Sequence, residues 1–206
     1  MIKSAAKGFG LGVMTLLALF VATTSFRYFA LNPDAYFEES RAVYVEHPVP
    51  LLCHIGGGIA AIVIGPFQFW SRLRNNYLRL HRWMGGIYLV GTAGFGAVGG
   101  LLLAPHAYGG HSTTVGFGML AILWSVTGLL ALWAILQGRV SQHREWMIRS
   151  YALTFAAVTL RLWLPILVAL GVEFEEAYQT VAWLSWVPNL IITEGYLVIT
   201  RKPFAR

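Results

Sequence analysis

Charge is what this sequence has least of. Asp, Glu, Lys and Arg make up 12% of its 206 residues, where a soluble domain carries about a quarter. A solvated surface needs those charges, so the deficit excludes an ordinary water-soluble globule. Cysteine occurs once, at Cys53, which excludes an internal disulfide and a cysteine-built metal cage. There is no low-complexity tail, no Ser/Gly linker and no stretch polar enough for a separate soluble domain. No two histidines fall within one helical turn, so the histidine-box pattern of membrane di-iron hydroxylases is missing.

What remains is apolar and aromatic. Hydrophobic residues make up 57% of the chain, with 8 Trp, 12 Phe and 9 Tyr, the composition of membrane spans with interfacial aromatic belts. A spanning helix needs about 20 mostly apolar residues. The sequence offers six such segments: Phe9–Phe26, Val49–Trp70, Trp83–Leu103, Thr114–Leu136, Trp146–Leu170 and Tyr178–Ile199. The expected fold is a single all-α integral membrane domain of six transmembrane helices, with helices 2–5 as a four-helix core. The connections are short, except for Arg27 to Pro48. Lys3 and Lys7 ahead of the first segment, with Ala22-Thr23-Thr24-Ser25 near its end, also fit a secretory signal. An uncleaved first helix is the expectation.

Basic residues set the direction. Lys3 and Lys7, then Arg72, Arg74, Arg79 and Arg82, then Arg139, Arg144 and Arg149, then Arg201, Lys202 and Arg206 all fall on one side if there are six spans. Asp34, Glu38, Glu39, Glu46, Glu173, Glu175 and Glu176 fall on the other. The expectation is a multi-pass protein of a bacterial cytoplasmic (inner) membrane with both termini cytoplasmic. On that reading the formal charge of +6 reports orientation and calls for no nucleic acid.

Histidine is costly in a bilayer, so its positions carry information. His47 and His106 sit in outer loops and read as exposed. The other four fall one per helix near helix starts. His54 and His111 lie toward the outer side, and His81 and His143 toward the cytoplasmic side. Two imidazoles from facing helices are the axial ligands of a b-type haem, so these pairs are candidate ligands for two haems. An ordinary cytoplasmic interface accounts equally for His81-Arg82-Trp83-Met84 and His143-Arg144-Glu145-Trp146-Met147. Mostly small residues share the histidine faces: Gly58, Ala61 and Gly65 below His54 with Gln68 close by, and Gly85, Tyr88, Thr92, Gly96 and Gly99 along from His81, where Tyr88 is the large exception. They suit either a flat macrocycle or close helix packing.

Arg161 is the most unusual residue, 18 positions and about 27 Å of rise from His143 on the same helix. A buried arginine needs an anion. A haem propionate, an anionic outer-face substrate and an outer-loop glutamate such as Glu173 or Glu46 all fit. Glu194, near the cytoplasmic end of helix 6, reads as a snorkelling or arginine-paired carboxylate, with a proton relay as the alternative.

Two resemblances follow from these stretches. Gly65-Pro66-Phe67-Gln68-Phe69, Leu80-His81-Arg82-Trp83-Met84-Gly85, the His143-Arg144-Glu145-Trp146-Met147 run and Tyr151 to Arg161 resemble an uncharacterised family of predicted bacterial membrane proteins, the domain of unknown function 2306 type. That family implies no activity. The layout of one histidine on each of helices 2–5 is similar to the cytochrome b561 family, a six-helix, two-haem transmembrane electron carrier. That resemblance implies His54 and His111 on an outer haem b and His81 and His143 on an inner one, with Arg161, Gln68, Arg82 and Arg144 as further haem-binding residues. It implies a transmembrane oxidoreductase; the ascorbate-site patterns of that family are absent. The expected partners are the lipid bilayer, an electron donor and acceptor the sequence does not name, and a second copy or another membrane subunit. The alternatives are a non-haem scaffold or assembly subunit, and a metal-ion or small-solute transporter.

Overall fold

A computed structural model describes residues 2–200, with side chains from Gly8 onward. The side chains of Lys3 and Lys7, and all of Arg201, Lys202 and Arg206, lie outside the described residues. Every regular element among the described residues is helical. In chain order these are α1 (Ile2–Phe26), α2 (Glu38–Glu46), α3 (Pro48–Gln68), α4 (Ser71–Asn76), α5 (Leu78–Leu89), α6 (Ala97–Leu103), α7 (His111–Leu136), α8 (Val140–Thr154), α9 (Ala156–Ala169), α10 (Phe174–Leu184) and α11 (Val187–Thr200).

Five helical runs are long and apolar enough to cross a membrane: Gly8–Ala30, Pro48–Gln68, Leu78–His106, His111–Leu136 and Val140–Ala169. Their outer faces carry large apolar side chains, such as Leu16 at 70% and Trp83 at 76% exposure. A water-soluble protein does not present such a surface, whereas lipid favours it. Several helices begin earlier than their apolar segments. Leu78–His106 has 29 residues and a rise of about 43 Å, the thickness of a bilayer with its headgroups. A helix of that length has room for a polar first turn, and His81 and His143 are inside helices rather than ahead of them.

The expected sixth helix, Tyr178–Ile199, is two pieces, α10 of 11 residues and α11 of 14. Pro188 has no N–H to return to Leu184 four residues back. The chain turns at Ser185-Trp186, where Trp186 N–H bonds Trp183 C=O at 3.2 Å. The Ser185 carbonyl at the break accepts from the Thr159 hydroxyl and from Asn189 Nδ2. Neither piece alone reaches the length of a span.

Helices α3, α5–α6, α7 and α8–α9 form the central bundle; α1 packs on α3 and α9, and α10 on α9 and α7. Between α5 and α6 the helix widens to a π-helical stretch, Val90–Gly96. Here it touches α3 backbone to backbone: a Cβ on Gly57 would stand 2.3 Å from Gly91 O and 2.4 Å from Gly96 N. Small residues permit this approach where no hydrophobic force drives helices together.

A second close fit joins α3 to α8. Pro66 cannot donate to the Ile62 carbonyl, and the Tyr151 hydroxyl donates to it instead at 3.4 Å. Gly65 makes room for that ring, since a Cβ there would lie 1.9 Å from Tyr151 Cε2. Phe69 closes on the other side, its ring 5.4 Å from that of Tyr151.

Candidate functional site

The bundle has a basic end, with Arg72, Arg74, Arg79, Arg82, Arg139 and Arg144, and an acidic end with Glu38, Glu39, Glu46, Glu173, Glu175 and Glu176. Between them lies a buried polar knot. Tyr88, fully buried on α5, has its hydroxyl 3.0 Å from Ser150 Oγ and 3.0 Å from Thr154 Oγ1 on α8. Thr154 spends its proton on the Ser150 carbonyl at 2.9 Å and accepts from Trp124 Nε1 on α7 at 2.8 Å. The Tyr88 hydroxyl therefore donates to Thr154 and accepts from Ser150, and every polar hydrogen in the knot has a partner.

This knot fixes the relative height of α5 and α8, which both run away from the basic end. His81 stands seven residues before Tyr88, and His143 seven before Ser150. Equal rise brings both histidines to one level. His81 lies within electrostatic reach of His143, Arg74 and Arg82. His143 Nδ1 is 2.8 Å from the Ala131 carbonyl of α7. A carbonyl only accepts, so Nδ1 carries a proton, which leaves Nε2 as the ring nitrogen open to a ligand. Metal-bound histidines are commonly oriented by this kind of bond.

Two buried nitrogens beside the pair lack hydrogen-bond partners, His81 Nδ1 and Gln68 Nε2. Gln68, at the end of α3, faces Gly85 of α5, where a Cβ would lie 3.4 Å from its Oε1. Buried polar atoms rarely go unpaired, so two orphans in one place are the strongest local anomaly at the basic end. Arg82 and Arg144 are exposed, at the rim of this level rather than in it.

His54 repeats the orientation of His143 higher in the bundle. Its Nδ1 donates to the Gly96 carbonyl at 2.8 Å. It is wedged against Gly100, where a Cβ would stand 2.9 Å from Nδ1, and its ring is 6.5 Å from that of Trp124. Yet His54 is accessible, and one turn along its face a Cβ on Gly58 would meet nothing within 4 Å. Open space therefore lies beside Gly58, on the same helix face as His54.

The structure does not bring His111 to His54. Gly100 sets the height of His54 opposite Ala121, and His111, exposed at the first residue of α7, is ten residues above Ala121, about 15 Å of rise. The glycine faces are also mostly consumed by packing. Gly96 and Gly99 abut neighbouring helices and Gly65 abuts Tyr151; only Gly58 opens on space.

Arg161 lies in the first half of α9. It donates through Nη1 to its own Ala157 carbonyl at 2.9 Å and through Nη2 to Ser25 Oγ on α1 at 2.9 Å. Neither Glu173 nor Glu46 pairs with it: among the described residues the ion pairs are those of Arg149 with Glu145 and Glu194. Glu194 is gripped by Arg149 at 2.5 and 2.8 Å, which joins α8 to α11. Above Arg161 lie three tyrosines, with Tyr28 and Tyr36 stacked at 5.5 Å and Tyr44 edge-on to both. Burial pushes the Tyr44 phenol above its ordinary range, helped by Tyr28 and opposed by Ser40 and Arg161.

Two features went unseen in the sequence. His47 and His106, read as separate loop histidines, lie with ring centroids 4.4 Å apart; nothing in the local sequence joins two loops 59 positions apart. The tyrosine cluster was likewise hidden, because Tyr28 and Tyr44 flank an irregular segment without periodicity. Among the described residues no three His, Cys, Asp or Glu side chains gather around one point. A two-imidazole axial pair is smaller than that.

Over 73 residues the chain is 38% identical to Ava biosynthesis cluster protein G of Aspergillus versicolor, a stretch covering 34% of this chain and 21% of that protein. The chain thus matches about a fifth of that relative's length. No solved structure matches it. Residues 51–197 match the family described as predicted membrane protein (DUF2306); of the two resemblances read from the sequence, these comparisons return this one and not cytochrome b561. The matched region is more than half of the chain, from α3 to α11, and the chain belongs to the DUF2306 family of predicted membrane proteins.

Proposed function

We propose that this protein is a transmembrane electron carrier that holds b-type haem between α5 and α8 at the basic end of its bundle. The carrying observation is the Tyr88–Ser150 bond between α5 and α8, with His81 and His143 each seven residues before it, and the Nδ1 proton of His143 committed to Ala131. The unpaired Gln68 Nε2 and His81 Nδ1 beside them suit a site that receives a polar group. Haem b, when bound, supplies reversible one-electron iron chemistry. The chain's part would be to offer the imidazoles of His81 and His143 from neighbouring helices as the residues that hold it. Gln68, Arg82 and Arg144 would face its periphery.

A second haem would be held by His54, which is accessible. His111 would complete that pair only by a movement of the α7 start. On this reading α10 and α11 together make the sixth crossing. Both termini then lie on the basic, cytoplasmic side of a bacterial inner membrane. The donor and acceptor exchange electrons at the two ends.

The rival reading is a non-haem scaffold subunit. It is favoured by the glycine faces, which the helices largely use for packing. A reduced-minus-oxidised absorption spectrum of protein purified from haem-sufficient cells separates the two. The carrier gives b-type bands, and a colourless protein sinks it.

A further inference from the structure

The mid-bundle chemistry leaves Arg161 unused. It is an arginine inside a membrane helix, half-buried, and no carboxylate neutralises it among the described residues. Its two hydrogen bonds, to Ala157 and Ser25, use two of the five N–H groups of a guanidinium. Desolvating a cation without a counter-charge is strongly unfavourable, and neutral oxygens compensate only part of it.

The surroundings are those of an anion site rather than of an ion pair awaiting a glutamate. Ser25 ties the guanidinium to the last turn of α1. Three residues on, Tyr28 enters the ring cluster with Tyr36 and Tyr44. The other charged group within electrostatic reach is a second cation, Arg27, whose guanidinium lies 5.3 Å from the Tyr28 ring centroid. The phenols are neutral hydrogen-bond donors. On the bundle side, Arg161 also acts electrostatically on His54, which is accessible. Two cations and a cluster of phenols stand together at the end of the bundle where the loops are otherwise acidic.

We propose that Arg161, with Tyr28 and Tyr44, forms a carboxylate-binding site at the acidic end of the bundle, above His54. A planar carboxylate matches the guanidinium fork, and aromatic edges flank it. The carboxylate has two sources: a propionate of haem on His54, or a free carboxylate ligand entering from the acidic side. The first rests on the electron-carrier reading and the second does not.

Benzoate is the probe for the free ligand, and haem content is the readout for the propionate. Thermal unfolding of the purified, detergent-solubilised full chain is followed with increasing benzoate in the wild type, Arg161→Gln, Arg161→Lys and Tyr44→Phe. If the ligand is free, benzoate raises the wild-type midpoint saturably, Arg161→Gln weakens its binding by about tenfold or more, and Arg161→Lys by less. If the ligand is a propionate, benzoate has no effect on the wild type and Arg161→Gln loses haem relative to protein while Arg161→Lys keeps most of it. Arg161→Lys retains the charge and serves if the glutamine variant fails to fold. The proposal is overturned if wild type and both Arg161 variants are alike in benzoate response and in haem content. A colourless wild type ends the haem reading and leaves the benzoate titration to decide the site.

Discussion

At the scale of single residues, the strongest constraints are places where one side chain occupies space or a bond that a neighbour gives up. Gly65 and Pro66 work as a unit, one yielding volume and the other a carbonyl to Tyr151. Gly65→Ala puts a methyl into the Tyr151 ring and should destabilise by about 1–3 kcal/mol. Tyr151→Phe removes only the hydroxyl and should cost about 1 kcal/mol. Denaturant titration of the purified protein orders the two; equal effects would contradict the steric account. Tyr44 makes a prediction in pH. Burial raises its folded pKa above the ordinary value of 10.0. The phenol therefore contributes stability that is complete below pH 10 and lost as pH rises through the folded pKa. Tyr44→Phe should show a shallower fall of thermal stability above pH 10 than the wild type, and the same stability slope below it.

At the scale of elements, the helices end and break where backbone donors are missing. Pro188 divides α10 from α11, and Thr159 with Asn189 caps the carbonyl left at Ser185. Thr159→Val keeps the shape and removes the donor, and should lower stability by about 1 kcal/mol. A variant as stable as the wild type would mean that the break needs no such cap. Apolar runs made the existence of the long helices legible, because a 20-residue hydrophobic stretch has few other uses. Their starts were not legible: Leu78–Arg82 and Val140–Glu145 are too polar for a hydrocarbon core, yet stay helical. The break in the last helix was also missed, since Asn189 and Pro188 lie in an apolar run whose average hides a single absent donor.

At the scale of the whole molecule, the bundle sorts its histidines by height. Alternating helix direction puts His81 and His143 toward one end, and α5 and α8 run parallel, joined through Tyr88, Ser150 and Thr154. The same reasoning failed to join His54 to His111. Helix direction says which end a residue is near and not how many turns deep it lies, and His54 is opposite Ala121 rather than the start of α7. The four histidines thus fall into two at the basic end, His54 accessible higher in the bundle, and His111 at the start of α7. The most direct test is the haem-to-protein ratio, with the reduced-minus-oxidised spectrum, of His81→Ala, His143→Ala, His54→Ala and His111→Ala. The account predicts that His81→Ala and His143→Ala lose the same spectral component, that His54→Ala loses another, and that His111→Ala keeps both. Full haem retention in His81→Ala and His143→Ala, or different components lost by the two, would contradict it.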